Sequence, residues 1–231
     1  MNKVIFKGID STLIKGLIIS ELPPITKPRM RVLETQIDGV DGSIIEELGY
    51  EPYDKEMLIG LKQDADIDEI IDYFNGEGDI VFSNEPDKFY KVKVIDQIDY
   101  TRLVRFKTAT VRFRTQPFKY LYKETYQKFE NPTGTLVALN QGLEKSKPII
   151  KIKGTGTVSF SLENQVIFSY VFPSGETEVV IDSEKQDAYL GNVLKNRNMV
   201  GEFPIFKRGR NTIILNGAVT ELSVIANSRW L

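Results

Sequence analysis

Histidine and cysteine are both absent from the 231 residues. Without thiols there are no disulfides, no thiolate metal clusters and no cysteine nucleophiles. Without imidazole there is no His-based catalytic triad and no His-ligated metal. Carboxylate pairs, Ser–Lys arrangements and tyrosine are what remains for catalysis. Long apolar runs are missing too: none approaches the ~20 residues of a membrane-spanning helix, so no membrane partner is expected. The opening residues, MNKVIFKGID, hold neither a long apolar stretch nor a small-residue cleavage site, which argues against a signal peptide. The glycine motifs that cradle phosphate, GxGxxG and GxxxxGK(S/T), do not occur. An excess of charge of one sign is also lacking. The chain has 30 bases against 32 acids, a net charge of −2, and this balance points to no polyanionic partner. No catalytic residue, cofactor or metal is assigned.

What is present is mostly β-pattern. Tyr90, Val92 and Val94 alternate with Lys91 and Lys93, and Ile150 and Ile152 with Lys151 and Lys153. Val158, Phe160 and Leu162 continue the pattern, as do Val179 and Ile181, Ile213 and Leu215, and Leu222, Val224 and Ala226. Between 104 and 114 the parity switches: Val104 and Phe106 share one phase, Val111 and Phe113 the other, which predicts a bulge or bend near residues 108–110. Turn pairs such as Ser174-Gly175, Gly191-Asn192, Arg208-Gly209 and Asn216-Gly217 punctuate the strands. One helix is expected, over about 66–75. Ile67, Ile70, Ile71 and Phe74 fall on one face, Asp66 caps the start, Glu69 stands at the reciprocal capping position and Gly76 follows as a stop. The stretch FENPTG, residues 129–134, is the expected joint between a domain 1–130 that holds the helix and an all-β domain 131–231.

Charge is segregated in the first half. From Glu34 to Glu56 there are eight acids (Glu34, Asp38, Asp41, Glu46, Glu47, Glu51, Asp54, Glu56) and one base, Lys55. From Arg102 to Lys128 there are eight bases (Arg102, Arg105, Lys107, Arg112, Arg114, Lys119, Lys123, Lys128) and one acid, Glu124. Two readings follow: solvated sheet faces, or a self-complementary subunit whose patches meet head to tail and close a ring. Phe106, Phe113, Phe118, Tyr120 and Tyr122 interleave with the bases. In an alternating strand half of these aromatics face the core, so a single-strand nucleic-acid platform is disfavoured. In IDGVDGSIIEE, residues 37–47, two Asp-Gly steps stand three apart. Asp38 and Asp41 do not alternate, and Gly49 occupies the twelfth position, where a calcium loop needs a bidentate Glu. Asp-Gly instead supplies the backbone geometry of tight turns.

The order of these features resembles the distal tail protein (Dit) family of long-tailed phages and prophages of Gram-positive hosts. The doubled Asp-Gly loop (Asp38, Gly39, Asp41, Gly42) leads into an acidic stretch through Tyr50 and Tyr53 and then the helix. FSNEPDKFYKVKV (82–94) resembles the family's strand pair after that helix, and FRTQPFKY (113–120) its closing strand, with Pro117 and Phe118. KPIIKIKGTGTVSFSLEN, with Pro148, Ile150, Ile152, Gly154 and Gly156, resembles the opening of the second domain. GEFPIFKRGRNTIILNG, with Gly201, Phe203, Pro204, Gly209, Asn211, Ile213 and Gly217, resembles its close.

The resemblance implies a mainly β chain. Its N-terminal domain would be β-rich and tail-tube-like with one short α-helix, and its C-terminal domain a galectin-like or jelly-roll β-sandwich. It implies a non-enzymatic virion hub at the distal end of the tail. Six copies would ring the channel and join the tail tube protein to the tail-associated fibre or lysin protein. Receptor-binding proteins are further partners, and DNA would pass without specific binding. Glu46, Glu47 and Glu51 are then expected at the contact between subunits, facing Arg105, Arg112 and Arg114, with Asp38 and Asp41 toward the channel. The alternative is a carbohydrate-binding module or adhesin built on the second domain, with Trp230 as its stacking residue. Galectin-type sites include a histidine, and this chain has none.

Overall fold

The computed structural model describes residues 2–231 other than Val40, Gln97 and Asp99, and only the backbone of Tyr100, Thr101 and Arg102; the expectation for the Arg102 side chain lies outside the described residues. The chain is mainly β. It divides into two compact units, Met1–Tyr122 and Lys123–Trp230.

In the first unit the strands are β1 (Val4–Phe6), β2 (Ile9–Asp10), β3 (Leu17–Glu21), β4 (Met30–Thr35), β5 (Ile44–Tyr50), β6 (Tyr53–Leu61), β7 (Glu77–Phe82), β8 (Lys88–Val94) and β9 (Thr108–Leu121). All but β4 and β5 join an antiparallel sheet ordered β2-β1-β7-β8-β9-β6-β3. Alternation places Val4, Phe6, Met57, Ile59, Ile80, Phe82, Tyr90, Val92, Val111 and Phe113 on its buried face. Phe113 sits at the centre. Its ring meets Phe6, Phe74 and Phe82 edge-on, with centroids 6.0, 6.3 and 6.1 Å away.

Helix α1 (Ile67–Tyr73) covers that face through Ile70, Tyr73 and Phe74. Ile71, expected in the apolar stripe, is exposed, and Tyr73 takes its place, donating its hydroxyl to the carbonyl of Ile9 at 3.1 Å. Asp66 caps the helix by accepting from the N–H groups of Asp68 and Glu69, at 3.1 and 3.2 Å. The reciprocal bond from Glu69 is not made. Its carboxylate accepts from the N–H of Lys15 at 3.2 Å, while the Asp66 N–H donates to the Lys15 carbonyl. The cap thus doubles as a tether for the segment before β3.

A second helix, α2 (Tyr100–Phe106), stands where the alternation of Val104 and Phe106 predicted a strand. The parity switch is therefore the boundary between a helix and β9. Among the described side chains of α2, Leu103 reaches the core, and Val104 and Phe106 are exposed.

The second unit contains β10 (Gln127–Glu130), β11 (Thr135–Asn140), β12 (Ile149–Leu162), β13 (Gln165–Val171), β14 (Glu178–Asp182), β15 (Asp187–Leu190), β16 (Val193–Leu194), β17 (Met199–Gly201) and β18 (Gly209–Ile225). Residues 129–134, the expected joint, run from β10 to β11 within this unit. Its architecture comes from two long strands that each serve two layers. The first part of β12 pairs with β14 and with the end of β18, which also holds β10. The last part of β12 pairs with β13 and with the start of β18, which holds β11. Register shifts between Lys153 and Gly154, and between Thr155 and Ser159, mark the bend. Asn216-Gly217, read as a turn, is instead a kink inside β18. A side chain on Gly217 would come within 2.4 Å of the Thr157 carbonyl, and one on Gly154 within 2.4 Å of the Ala218 carbonyl, so both crossings require glycine. Ile150, Ile152, Val179, Ile181, Leu222 and Val224 from one layer close on Val158, Phe160, Phe168, Tyr170 and Ile213 from the other.

Candidate self-association site

Strands β4 and β5 form a two-stranded sheet of their own. The reason is in their alternation. Along β5, Ile44, Glu46 and Leu48 share one phase and Ile45, Glu47 and Gly49 the other, so neither side is apolar enough to bury. Pairing Val32 with Glu47, Leu33 with Glu46, Glu34 with Ile45 and Thr35 with Ile44 leaves each side of the hairpin a mixture of aliphatic and acidic groups. Both sides are in solvent: Ile44 and Ile45 are each 60% exposed, Leu33 51% and Val32 47%. Leu48 is the extra residue of a bulge that shifts the register after Arg31, and its carbonyl accepts from the Arg31 guanidinium at 2.9 Å. The connecting loop holds both Asp-Gly steps. Gly39 has φ +79° and Gly42 φ +91°, so the turn reading of this stretch holds, and Asp38 and Asp41 are exposed beside them.

The root of the hairpin is fixed by two core strands. Lys55 on β6 donates to the Pro24 carbonyl at 2.8 Å, and Asn84, just past β7, donates to the Pro23 carbonyl at 3.0 Å. The Glu51 N–H donates to the Arg29 carbonyl at 2.8 Å, and the Tyr50 ring meets Phe118 edge-on at 5.8 Å. Lys55 is 3% exposed, its ammonium lying 4.8 Å from the ring centre of Tyr90 and 5.5 Å from that of Tyr53. Burial pulls its pKa down to about 8; Glu85 opposes this fall and Lys119 adds to it. Glu85 accepts from the Tyr90 hydroxyl and pairs with Lys119 at 2.7 Å. Burial pushes Tyr53 up to about 12 and Tyr90 further still.

The expected site residues separate into two groups. Arg112 and Arg114 face acids of their own chain. Antiparallel pairing sets Glu56 opposite Arg112 and Asp54 opposite Arg114. Arg112 contacts Glu56 at 2.6 Å and Asp96 at 2.9 Å, and Arg114 contacts Asp54 at 3.0 Å. Part of the opposed charge read from the sequence is therefore taken up inside the chain. Glu46 and Glu47 stand exposed on β5, and Glu51 is half-buried at the hairpin root. Arg105 is exposed on α2, its guanidinium 5.3 Å from the centre of the Phe106 ring.

Sequence reading missed Lys55 as a buried tether. The signal was there, because Lys55 keeps phase with Met57, Ile59 and Leu61, all buried. It also missed Asp96, which lies far from its partner in sequence and carries no local signature. Trp230 is half-buried. Among the described residues no group of three or more acids is placed to hold a metal ion, and no helix is long and apolar enough to cross a membrane.

No known family model and no curated protein matches the sequence. Solved structures do. The Dit protein of SPP1, described as a paradigm of hub adsorption apparatus in phages that infect Gram-positive bacteria, superimposes with a TM-score of 0.73 at 15% identity, covering 100% of both chains. This chain has the Dit fold. A chain of the phage P2 baseplate in its activated conformation with Ca matches with a TM-score of 0.56 at 10% identity, over 97% of each chain. The same baseplate with Sr gives 0.52 at 11% identity, again over 97% of each chain. The Dit-like likeness thus extends over both units, and at these identities it is a likeness of fold.

Proposed function

We propose that this protein is a structural component of a phage tail tip, a hub without catalytic activity whose first unit closes a ring with copies of itself. The observation that carries this reading is the β4–β5 hairpin. A lone two-stranded hairpin is marginal in water, and one with aliphatic residues exposed on both sides is stabilised only when another surface covers it. The Dit fold of the whole chain supports the same reading. A contact between two different surfaces of one subunit closes into a ring when the rotation allows it, and six copies is the number proposed. The ring would join the tail tube to the fibre or lysin protein of the tip, with receptor-binding proteins as further partners. DNA would pass through the ring without specific binding, and the protein would reside at the distal end of the virion's tail. In this arrangement Glu46, Glu47 and Glu51 lie at the subunit contact, Arg105 faces them, and Asp38 and Asp41 at the hairpin tip lie toward the channel. Arg112 and Arg114, expected at the same contact, are engaged with Glu56 and Asp54 of their own chain, so the basic side of the contact is proposed for Arg105 instead.

The test is electron microscopy and native mass spectrometry of the purified chain, alone and with tail tube protein, beside a variant in which residues 30–50 are replaced by a short Gly-Ser link. Rings from the full chain and monomers from the variant are expected. Identical assembly states for the two would sink the proposal.

A further inference from the structure

The hairpin needs an acceptor, and the chain carries a surface that complements it. We propose that the hairpin of one copy docks on the exposed side of α2 of the next copy, on Val104, Arg105, Phe106 and Lys107. This inference rests on the ring reading above and names the second half of its contact.

The two surfaces share one defect and carry opposite charge. The hairpin exposes Val32, Leu33, Ile44 and Ile45 among Glu34, Glu46 and Glu47. The α2 segment exposes Phe106 at 61% and Val104 at 48%, flanked by Arg105 and Lys107, and the sequence holds no acid from Tyr100 to Lys123. Among the described residues neither Arg105 nor Lys107 has an ion-pair partner, whereas Arg112 and Arg114 of the same basic segment do. On the acidic side the division is the same: Asp54 and Glu56 are paired, and Glu46 and Glu47 are not.

Exposed aliphatic residues elsewhere in the first unit differ: Leu13 and Ile25 lie near Lys15 and Lys27 but have no aromatic neighbour along the chain, and three others stand next to acids. Ile71 lies beside Asp72, Ile95 beside Asp96, and Ile9 beside Asp10, which already binds Lys3 at 2.9 Å. The α2 platform is also held in place. Leu103 is fully buried, and the Lys107 carbonyl accepts from the Leu61 N–H on β6 at 3.1 Å. An anchored apolar step flanked by two bases that have no ion-pair partner among the described residues suits a strand pair that presents aliphatic groups between unpaired acids. Electrostatics then sets the orientation and apolar burial the strength. Because hairpin and step are different surfaces of one chain, the contact propagates head to tail.

The absence of cysteine makes the test direct, since introduced thiols are the only ones present. Ile45→Cys and Phe106→Cys are placed in one chain and, separately, in two chains that are mixed; Ile45→Cys mixed with Leu13→Cys is the control. Under oxidation the double variant is expected to give a ladder of covalent multimers on a non-reducing gel. The mixed pair should stop at a dimer, and the control should stay monomeric. Arg105→Glu with Lys107→Glu should weaken assembly about tenfold, and mixing with Glu46→Lys, Glu47→Lys protein should restore part of it. Protein that sediments as an oligomer yet forms no Ile45–Phe106 crosslink, or crosslinks equally to Leu13, overturns the α2 acceptor and leaves the ring standing. Protein that forms no oligomer alone or on tail tube overturns the ring and the acceptor together.

Discussion

β5 and β6 follow one another in the chain, both carry acids, and they end in opposite surroundings. β6 keeps Lys55, Met57, Ile59 and Leu61 in one phase, buries them, and sets Asp54 and Glu56 against arginines of β9. β5 interrupts its phase, since isoleucine pairs with isoleucine and glutamate with glutamate along the chain, and it buries neither side. Two strands of similar composition are thereby separated into a structural one and one that is available for contact. What separates them is the continuity of a single apolar phase, which decides whether a strand can pay the cost of joining the sheet.

The contrast should be widest in stability. Ile59→Ala on β6 is expected to destabilise the unit by about 2–5 kcal/mol in urea unfolding, whereas Ile45→Ala on β5 should stay within about 0.5 kcal/mol for the monomer and act on assembly instead. Equal losses at both positions would mean that the hairpin packs on its own subunit.

Lys55 sharpens the comparison next, because it is the charge on the buried side of β6. Its folded pKa of about 8 lies below the ordinary 10.5. The unfolded chain therefore binds the proton over a range where the folded one does not, and stability rises as pH goes from about 8 toward 10.5. The full rise is on the order of 3 kcal/mol, cut short above pH ~10 as the unfolded chain's tyrosines ionise while Tyr53 and Tyr90 stay protonated. Unfolding measured between pH 8 and 10 should show this slope in the parent and lose it in Lys55→Met. An unchanged slope in the variant would remove Lys55 as its source.

The smallest effect belongs to the paired acids. Asp54 and Arg114 are each 41% exposed, so a double-mutant cycle should give a coupling below about 1 kcal/mol and leave assembly untouched. A strong effect of this pair on assembly would move the subunit contact from the hairpin to the β6–β9 face.

Much of the fold was legible along the chain. The apolar phases of β8, β12, β14 and β18 carry their side chains into the cores as read, and α1 stands where its spacing and its Asp66 cap placed it. α2 was not legible. Val104 and Phe106 imitate an alternating strand, the first turn lacks an acid, and the buried Leu103 bears no mark of its burial. The glycines of β12 and β18 were visible, but they serve as crossings inside long strands, and only the close approach of Thr157 and Ala218 carbonyls distinguishes such a kink from a turn. At the candidate site Glu46 and Glu47 are exposed on β5. The engagement of Arg112 and Arg114 within the chain was invisible, since Glu56 and Arg112 are neighbours only once β6 and β9 pair.

By itself the sequence determined the apolar phases of the long strands, where the first helix begins and where the Asp-Gly loop turns, because these depend on phase, caps and glycine over a few residues. The fold alone decided which acid meets which base and which strand is left uncovered. Those outcomes depend on pairing between segments some sixty positions apart, and no local preference encodes the partner.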